Sequence, residues 1–397
     1  MSRQLISLNA DLRRLMEDGY DISIVAGHLV LRDVPYLDGN GRVRRGMIAS
    51  PLELAGDRTV QPAHHIVWFA GEMPHGADRR PLDAMGHHGT SRSLGGGLLV
   101  DRMLCSRPVA DRYRDHHELM TTFVEQLSAP ARMVDPTATA RTGHVMVAEG
   151  GRSCFAYLDT ASSRHGIGRF SDRLAGLSIG IVGLGGTGSY ILDQIAKTPV
   201  GRIHLFDDDR FEQHCAFRAP GAASIDGLRD QRTKVDHFAR IYSNMHNGII
   251  GHEMKLGPAN AHLLDHLDFV FLAIDSGIGR RVLVAEMERR GLAFIDTGIG
   301  IEQTEQGLTG AVRVTTSTPG KRDHVREFSR IPTGSGVDSL YQSRAQVADM
   351  NALAAALAVI KFKKHFGFYL DLEGEHHSVY QMDGAVMVNE DRVGPLS

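Results

Sequence analysis

The chain has 397 residues, 44 Lys plus Arg against 47 Asp plus Glu, a formal net charge of −3 and 42% hydrophobic residues. That length exceeds what one ordinary core needs, so two domains are expected. The near-neutral balance, with no dense Lys/Arg run interleaved with aromatics, argues against a nucleic-acid surface.

No apolar stretch is long enough to span a bilayer, and Met1 to Asp11 lacks the charged-then-apolar pattern of a signal peptide. A cytoplasmic protein without a membrane partner is expected. Cys105, Cys154 and Cys215 are too few for a disulfide framework or a four-thiolate zinc site, which suits a reducing compartment.

In chain order, Ala10 to Met16 reads as a short helix with Leu12 and Leu15 on one side. Tyr20 to Val34 alternates and is β-branched, and Asp38-Gly39-Asn40-Gly41 signals a hairpin. Ile66 to Ala70 is a further strand carrying Trp68, the one tryptophan, which is expected in the core. Gly95-Gly96-Gly97 marks a loop, Tyr113 to Leu127 a helix, and Pro130 to Gly143 a linker. Residues 1–145 thus read as a smaller, β-rich α+β domain with no motif that carries chemistry. The histidine pairs, His64/His65 and His376/His377 among them, lack helical i, i+4 spacing and read as surface or hydrogen-bonded groups.

From residue 151 to 397 the pattern becomes α/β. Ile179, Ile181 and Val182 lead into Gly183, Gly185, Gly186 and Gly188. A helical pattern follows through Tyr190, Ile191, Leu192 and Ile195, and Pro199 and Gly201 break it. Ile203 to Phe206 is a second buried strand ending at Asp207. Strand, Gly-rich turn, helix, strand and acidic end make a nucleotide-binding βαβ unit. Its glycines let the backbone approach a phosphate, and the helix aims its N-terminal N–H groups there. Asp207 is spaced to hold a ribose hydroxyl pair. Phe269–Ala273 and Ala293–Ile295 read as further strands, Gly310–Thr316 as an antiparallel one, and Val347–Lys364 as an Ala/Leu-rich helix whose basic end suits its negative pole. The expected fold is Rossmann-like, a mainly parallel sheet with helices on both faces.

A nicotinamide-dependent oxidoreductase and an ATP-using adenylating enzyme share this opening unit, so later residues must choose. Asp207 and Asp209 alternate at a strand end, Arg218 and Lys234 follow, and a third strand ends at Asp275. Ligands bind at the carboxyl ends of strands in such sheets. A metal-binding carboxylate and two permanent cations around a triphosphate suit nucleotidyl transfer, where the protein positions reactants and disperses charge. An NAD-dependent oxidoreductase would leave Arg218, Lys234 and Asp275 without a joint purpose. A non-catalytic ATP-binding scaffold of the same fold is the other alternative.

Ser162 to about Gly310 resembles the ThiF/MoeB family and the adenylation domains of ubiquitin-activating enzymes. The match runs in order through SSRHGIG, GLGGTG, DDD, the arginine of AFR, the lysine of RTK and the IDS closing the third strand. The resemblance implies that Gly183, Gly185, Gly186 and Gly188 cradle ATP, Asp207 takes the ribose and Asp209 lies in the nucleotide and metal site. Arg218 and Lys234 would contact phosphates, Asp275 would bind Mg²⁺, and Arg164 would reach the γ-phosphate in a partner subunit of a homodimer. It further implies ATP- and Mg²⁺-dependent adenylation of the C-terminal carboxylate of a ubiquitin-like protein, with a conjugating-enzyme-like protein as second partner. The domain over residues 1–145 is similar to an uncharacterised one fused ahead of bacterial ThiF-type domains, and partner binding is its expected task.

Two departures stand out. The family's Asn three residues before the arginine is Cys215 here, and the Gln after it is Ala219. No cysteine follows Cys215, so a thioester on the crossover loop and a CxxC-pair zinc site are both excluded. Release of the adenylate, an oxyester on Ser335, Ser339 or Ser343, or a thioester on Cys215 stay open.

Overall fold

The computed structural model describes residues 2–82, 86–87, 91–108, 110–143, 153–333 and 346–393. Its chain falls into two compact units, Met1–Ser153 with Tyr157–Asp172, and Cys154–Ala156 with Arg173–Ser397.

The first unit opens with α1 (Ser2–Leu8) and α2 (Ala10–Glu17), the latter burying Leu12 and Leu15. Ala26 and Gly27, both at positive φ, turn the expected Tyr20–Val34 strand back on itself as β1 (Ile22–Val25) and β2 (His28–Leu37). After β2 the Asp38 carboxylate accepts hydrogen bonds from the Asn40 and Arg42 N–H groups at 2.9 Å and closes the expected hairpin to β3 (Val43–Pro51). Short strands β4 (Leu54–Ala55) and β5 (Arg58–Thr59) pair with each other. Then come β6 (Ile66–Ala70), β7 (Gly86–His87), β8 (Arg92–Ser93), β9 (Leu99–Val100) and β10 (Arg102–Cys105). The main antiparallel sheet runs β1-β2-β3-β6-β10-β7.

Helix α3 (His116–Val134) packs on β2 and is capped by Asp115, whose side chain accepts from Glu118 N–H at 2.9 Å. It runs through Pro130, so the segment expected as a linker begins as helix. A proline costs one helical hydrogen bond, but Leu119, Phe123, Leu127 and Ala131 form a buried stripe spanning that turn. Trp68, expected in the core, is only half-buried, with the Arg92 guanidinium 4.4 Å above its ring. Two short helices, α4 (Thr160–Arg164) and α5 (Gly168–Ser171), complete this unit.

The second unit is α/β. Its strands are β11 (Ser178–Val182), β12 (Arg202–Phe206), β13 (Ile249–His252), β14 (Phe269–Leu272), β15 (Ala293–Gln303), β16 (Leu308–Ser317), β17 (Glu375–Gln381) and β18 (Val386–Arg392). The order is β13-β12-β11-β14-β15-β16-β17-β18, parallel up to β15 and antiparallel beyond. Its helices are α6 (Gly186–Ile195), α7 (Gln213–Ala216), α8 (Ile225–Arg229), α9 (Lys234–Tyr242), α10 (Gly277–Arg289), α11 (Asp323–Glu327) and α12 (Ala348–His365).

Side chains alternate across the sheet. Phe269 and Phe271 join Ile179, Ile181 and Leu205 in a core shared with α6, α9 and α12, while Val270 and Leu272 join Val182 and Phe294 in a second core shared with α10. Helices therefore cover both faces, and β12 and β14 flank β11 at the point where the strand order reverses, the usual place for a ligand. Among the described residues no helix is long and apolar enough to cross a membrane.

Candidate active site

The fully buried strand β11 ends in Gly183, held at φ +91°. A Cβ there would stand 2.5 Å from the carbonyl oxygen of Ala273, just past the end of β14, and a Cβ on Gly188 would stand 1.8 Å from the carbonyl oxygen of Gly183. These two glycines fold the turn tightly against the sheet. Gly186 meets α12, since a Cβ on it would come 2.3 Å from the Asn351 side chain. Gly185, the N-cap of α6, is different, because nothing lies within 4 Å of its missing Cβ. Open space thus stands over the first turn of α6, whose leading N–H groups have no helical acceptor and carry the positive end of the dipole.

Asp207 follows β12 and is nearly buried, at 9% exposure. One carboxylate oxygen accepts from Leu184 N–H inside the glycine turn at 2.6 Å, and the other accepts from Asp209 N–H at 2.9 Å. Its expected partner was a ribose; in this state the carboxylate braces the turn.

Lys234 opens α9 behind the N-cap Thr233 and is 6% exposed. Its ammonium lies 3.3 Å from Asp207 Oδ1 and donates to Asp209 Oδ2 at 2.5 Å. Burial alone would lower its pKa, but the two carboxylates outweigh burial and raise it. A lysine beginning a helix also faces the wrong pole of the dipole, so this cation is held in place by the aspartates against two opposing effects.

Asp207, Asp208 and Asp209 each offer an oxygen within 4.8 Å of the others, the one such acidic group among the described residues. Hard carboxylate oxygens suit Mg²⁺, though Lys234 already occupies part of that space. Asp275 stands apart from this group. It is exposed, lies between β14 and the α10 N-cap Ser276, and has no hydrogen bond or ion pair among the described residues.

Arg218 follows α7. It donates to Gln346 Oε1 at 2.7 Å, approaches His214 Nε2 at 3.4 Å, and keeps a buried Nε with no partner among the described residues. Cys215 is 5% exposed within the α6/α9 core, its sulfur 3.5 Å from His214 Nε2, and Ala219 is buried beside it.

The glycine turn, Asp207, Asp209 and Lys234 are therefore one bonded cluster. Among the described residues Arg218 is not bonded to this cluster; it donates to Gln346, just ahead of α12, while Asn351 within that helix accepts from Thr187 Oγ1 in the glycine turn at 2.9 Å. Asp275 lies two residues beyond the Ala273 contact of the turn. Arg164 is exposed at the end of α4 and belongs to the first compact unit. Ser335, Ser339 and Ser343 lie outside the described residues.

Sequence reasoning missed Gln346 and Asn351. A lone asparagine at the start of an Ala/Leu-rich helix was the available signal. It also missed the buried trio behind Asp275, in which Asp296 pairs with Arg280 and Arg313 while Arg280 holds the Ile274 carbonyl.

Residues 161–385 match the profile of the ThiF family. The chain belongs to the ThiF family. Residues 10–160 match a domain of unknown function, DUF6791. Among curated proteins no significant match is found.

Solved structures similar to this ThiF-family chain include Escherichia coli MccB with MccA-N7isoASN (18% identity, TM-score 0.45, 57% of this chain and 66% of that one). E. coli MccB with ATP has 18% identity and a TM-score of 0.44 over 58% and 71% of the two chains. PaaA has 16% identity and a TM-score of 0.44 over 70% and 97%. The alignment thus spans just under two thirds of the first MccB chain.

Proposed function

We propose that this protein uses ATP to adenylate the C-terminal carboxylate of a ubiquitin-like protein. The observation that carries the reading is the buried Lys234 ammonium, tied to Asp207 and Asp209 directly under the glycine turn. A cation fixed there suits the greater negative charge of a triphosphate better than the pyrophosphate of a nicotinamide dinucleotide. The orphaned Nε of Arg218 and the open space over Gly185 fit the same ligand.

In this reading the N–H groups of the α6 first turn and of the glycine loop bind the phosphates, and Asp207 or its neighbours meet the ribose. Asp209 and Asp275 have the chemistry to hold Mg²⁺, which would supply charge neutralisation on the phosphate oxygens. The acceptor carboxylate is already ionised near neutral pH, so no general base is required. It attacks the α-phosphorus, and the bond to the bridging oxygen breaks as pyrophosphate leaves. Lys234 and Arg218 disperse the charge that develops, a role worth about 10³-fold or more for an arginine.

Arg164 acts on the γ-phosphate of a nucleotide bound to a second copy, so the working form is a homodimer. A conjugating-enzyme-like protein accepts the activated chain, in a reducing cytoplasm that keeps the three thiols free. Residues 1–145 serve partner binding, ahead of a catalytic domain over residues 151–397.

Labelled pyrophosphate should exchange into ATP when the ubiquitin-like partner is present, and Arg218→Ala and Asp275→Ala should abolish the exchange. Mixing inactive Arg164→Ala and Arg218→Ala chains should restore part of it if the arginine acts in trans. Absence of exchange by the wild-type protein with its genuine partner refutes the reading. Cys215 and Ala219, packed into the core where the family places amides, favour a second reading, a scaffold that binds ATP without turnover. It would show ATP binding and no exchange.

A further inference from the structure

Helix α12 carries no charged residue from Met350 to Ile360, and Asn351 is the one polar side chain in that run. Its buried neighbours Ala354, Ala355 and Ala358 show that close packing on this side of the helix asks only for a methyl group. Asparagine is a poorer helix former than alanine, and a buried amide left unpaired adds a further penalty. Asn351 is nonetheless 0% exposed.

Both ends of its amide are paired, and the pairing has a direction. The Val347 carbonyl can only accept, so Nδ2 donates to it at 2.9 Å. Oδ1 is thereby turned toward α6, where it accepts the Thr187 hydroxyl proton at 2.9 Å. The same amide takes up the room beside Gly186, since a Cβ there would stand 2.3 Å from it. On the sheet side Gly188 abuts the Gly183 carbonyl oxygen, and Ser189 Oγ donates to the Gly186 carbonyl at 2.8 Å. The first turn of α6 is thus held from two directions, while Gly185 faces open space. As N-cap, Gly185 brings no side chain to the leading N–H groups, so on that side they are free to take an anion.

We propose that Asn351 is a positioning residue for phosphate binding: through Thr187 it pins the first turn of α6, so that the free N–H groups stay aimed past Gly185 at the phosphates of ATP. The inference rests on the ATP reading above and adds to it a side chain from outside the βαβ unit.

The test sets ATP affinity, measured by calorimetry on the full-length protein, against stability, measured by amide exchange of α6 during urea titration. Asn351→Ala and Thr187→Val each strip one partner from the pair, and each should destabilise the unit and weaken ATP binding about fivefold or more. Thr187→Ser keeps the hydroxyl and should hold the wild-type affinity. The Asn351→Ala/Thr187→Val pair removes both polar groups, so stability should largely return. ATP affinity should stay as low as in the single variants, because the turn is still unpinned. Thr187→Val carries the test if Asn351→Ala fails to fold.

A pair that serves stability alone would let affinity recover together with stability in the double variant, and that result overturns the inference. Unchanged ATP affinity in both single variants overturns it equally. A wild-type protein that binds no ATP refutes the ATP reading and the inference together.

Discussion

Replacing Lys234 with methionine tests the cluster under the glycine turn most directly. The substitution keeps the apolar stem and removes the charge, leaving Asp207, whose side chain is 7% exposed, without its cation. Breaking one partner of a buried pair costs about 3–5 kcal/mol. Asp209, with a side chain 68% exposed, adds little because water screens it. A loss of about 3 kcal/mol is therefore expected. Lys234 has its pKa raised above 10.5 by the aspartates, so its contribution is complete below 10.5 and fades as pH rises through the higher folded value. Trp68 lies in the other unit, so amide exchange of β11 and β12 during urea titration is the assay. Asp207→Asn combined with Lys234→Met should recover part of the loss, since no buried charge remains. A cost below about 1 kcal/mol at pH 7, or a double variant no more stable than Lys234→Met, would refute the reasoning.

The glycines should separate by function: Gly188→Ala forces its Cβ into a backbone oxygen and should cost about 3 kcal/mol or more in a thermal melt. Gly185→Ala enters open space and should cost only about 1 kcal/mol as a poorer N-cap, yet weaken ATP binding measured by calorimetry. Asp296→Asn strips the carboxylate shared by buried Arg280 and Arg313 and should destabilise by about 3 kcal/mol or more in denaturant titration. His204 is pushed down to about 4 by burial and then by the His252 ring, and His377 to about 4 by burial and then by Arg330 and Arg313. Both are neutral when folded, so their contribution is intact above 6.5 and lost as pH falls from 6.5 toward 4. His204→Gln and His377→Gln should each flatten the acid limb of a stability–pH curve.

The glycine turn was legible because its information is local. Gly183, Gly188 and Asp207 sit within one βαβ unit, where strand, turn and helix signals reinforce each other. Asn351 and Gln346 were not legible, because they meet Thr187 and Arg218 from 164 and 128 residues away, and nothing short-range records such a pairing. Pro130 misled for a related reason. Its local signal is a break, and only the buried stripe against β2 overrides it. The chain's own departures were visible as letters, Cys215 and Ala219, but their burial in the α6/α9 core came only from the packing.

The stretch between the two halves also governs how the gene can be cut. Cys154–Ala156 belong to the second unit, where Phe155 packs edge-on against His246 at 5.7 Å and Ala156 N–H donates to the Met245 carbonyl at 2.8 Å. Residues 157–172 then return to the first unit before β11 begins. The backbone is thus laced through both bodies, and a construction starting at residue 161 severs one lace and strands the other. During synthesis the first unit stays incomplete until Asp172 has emerged, when β11, which leads into the glycine turn, is the next strand to follow.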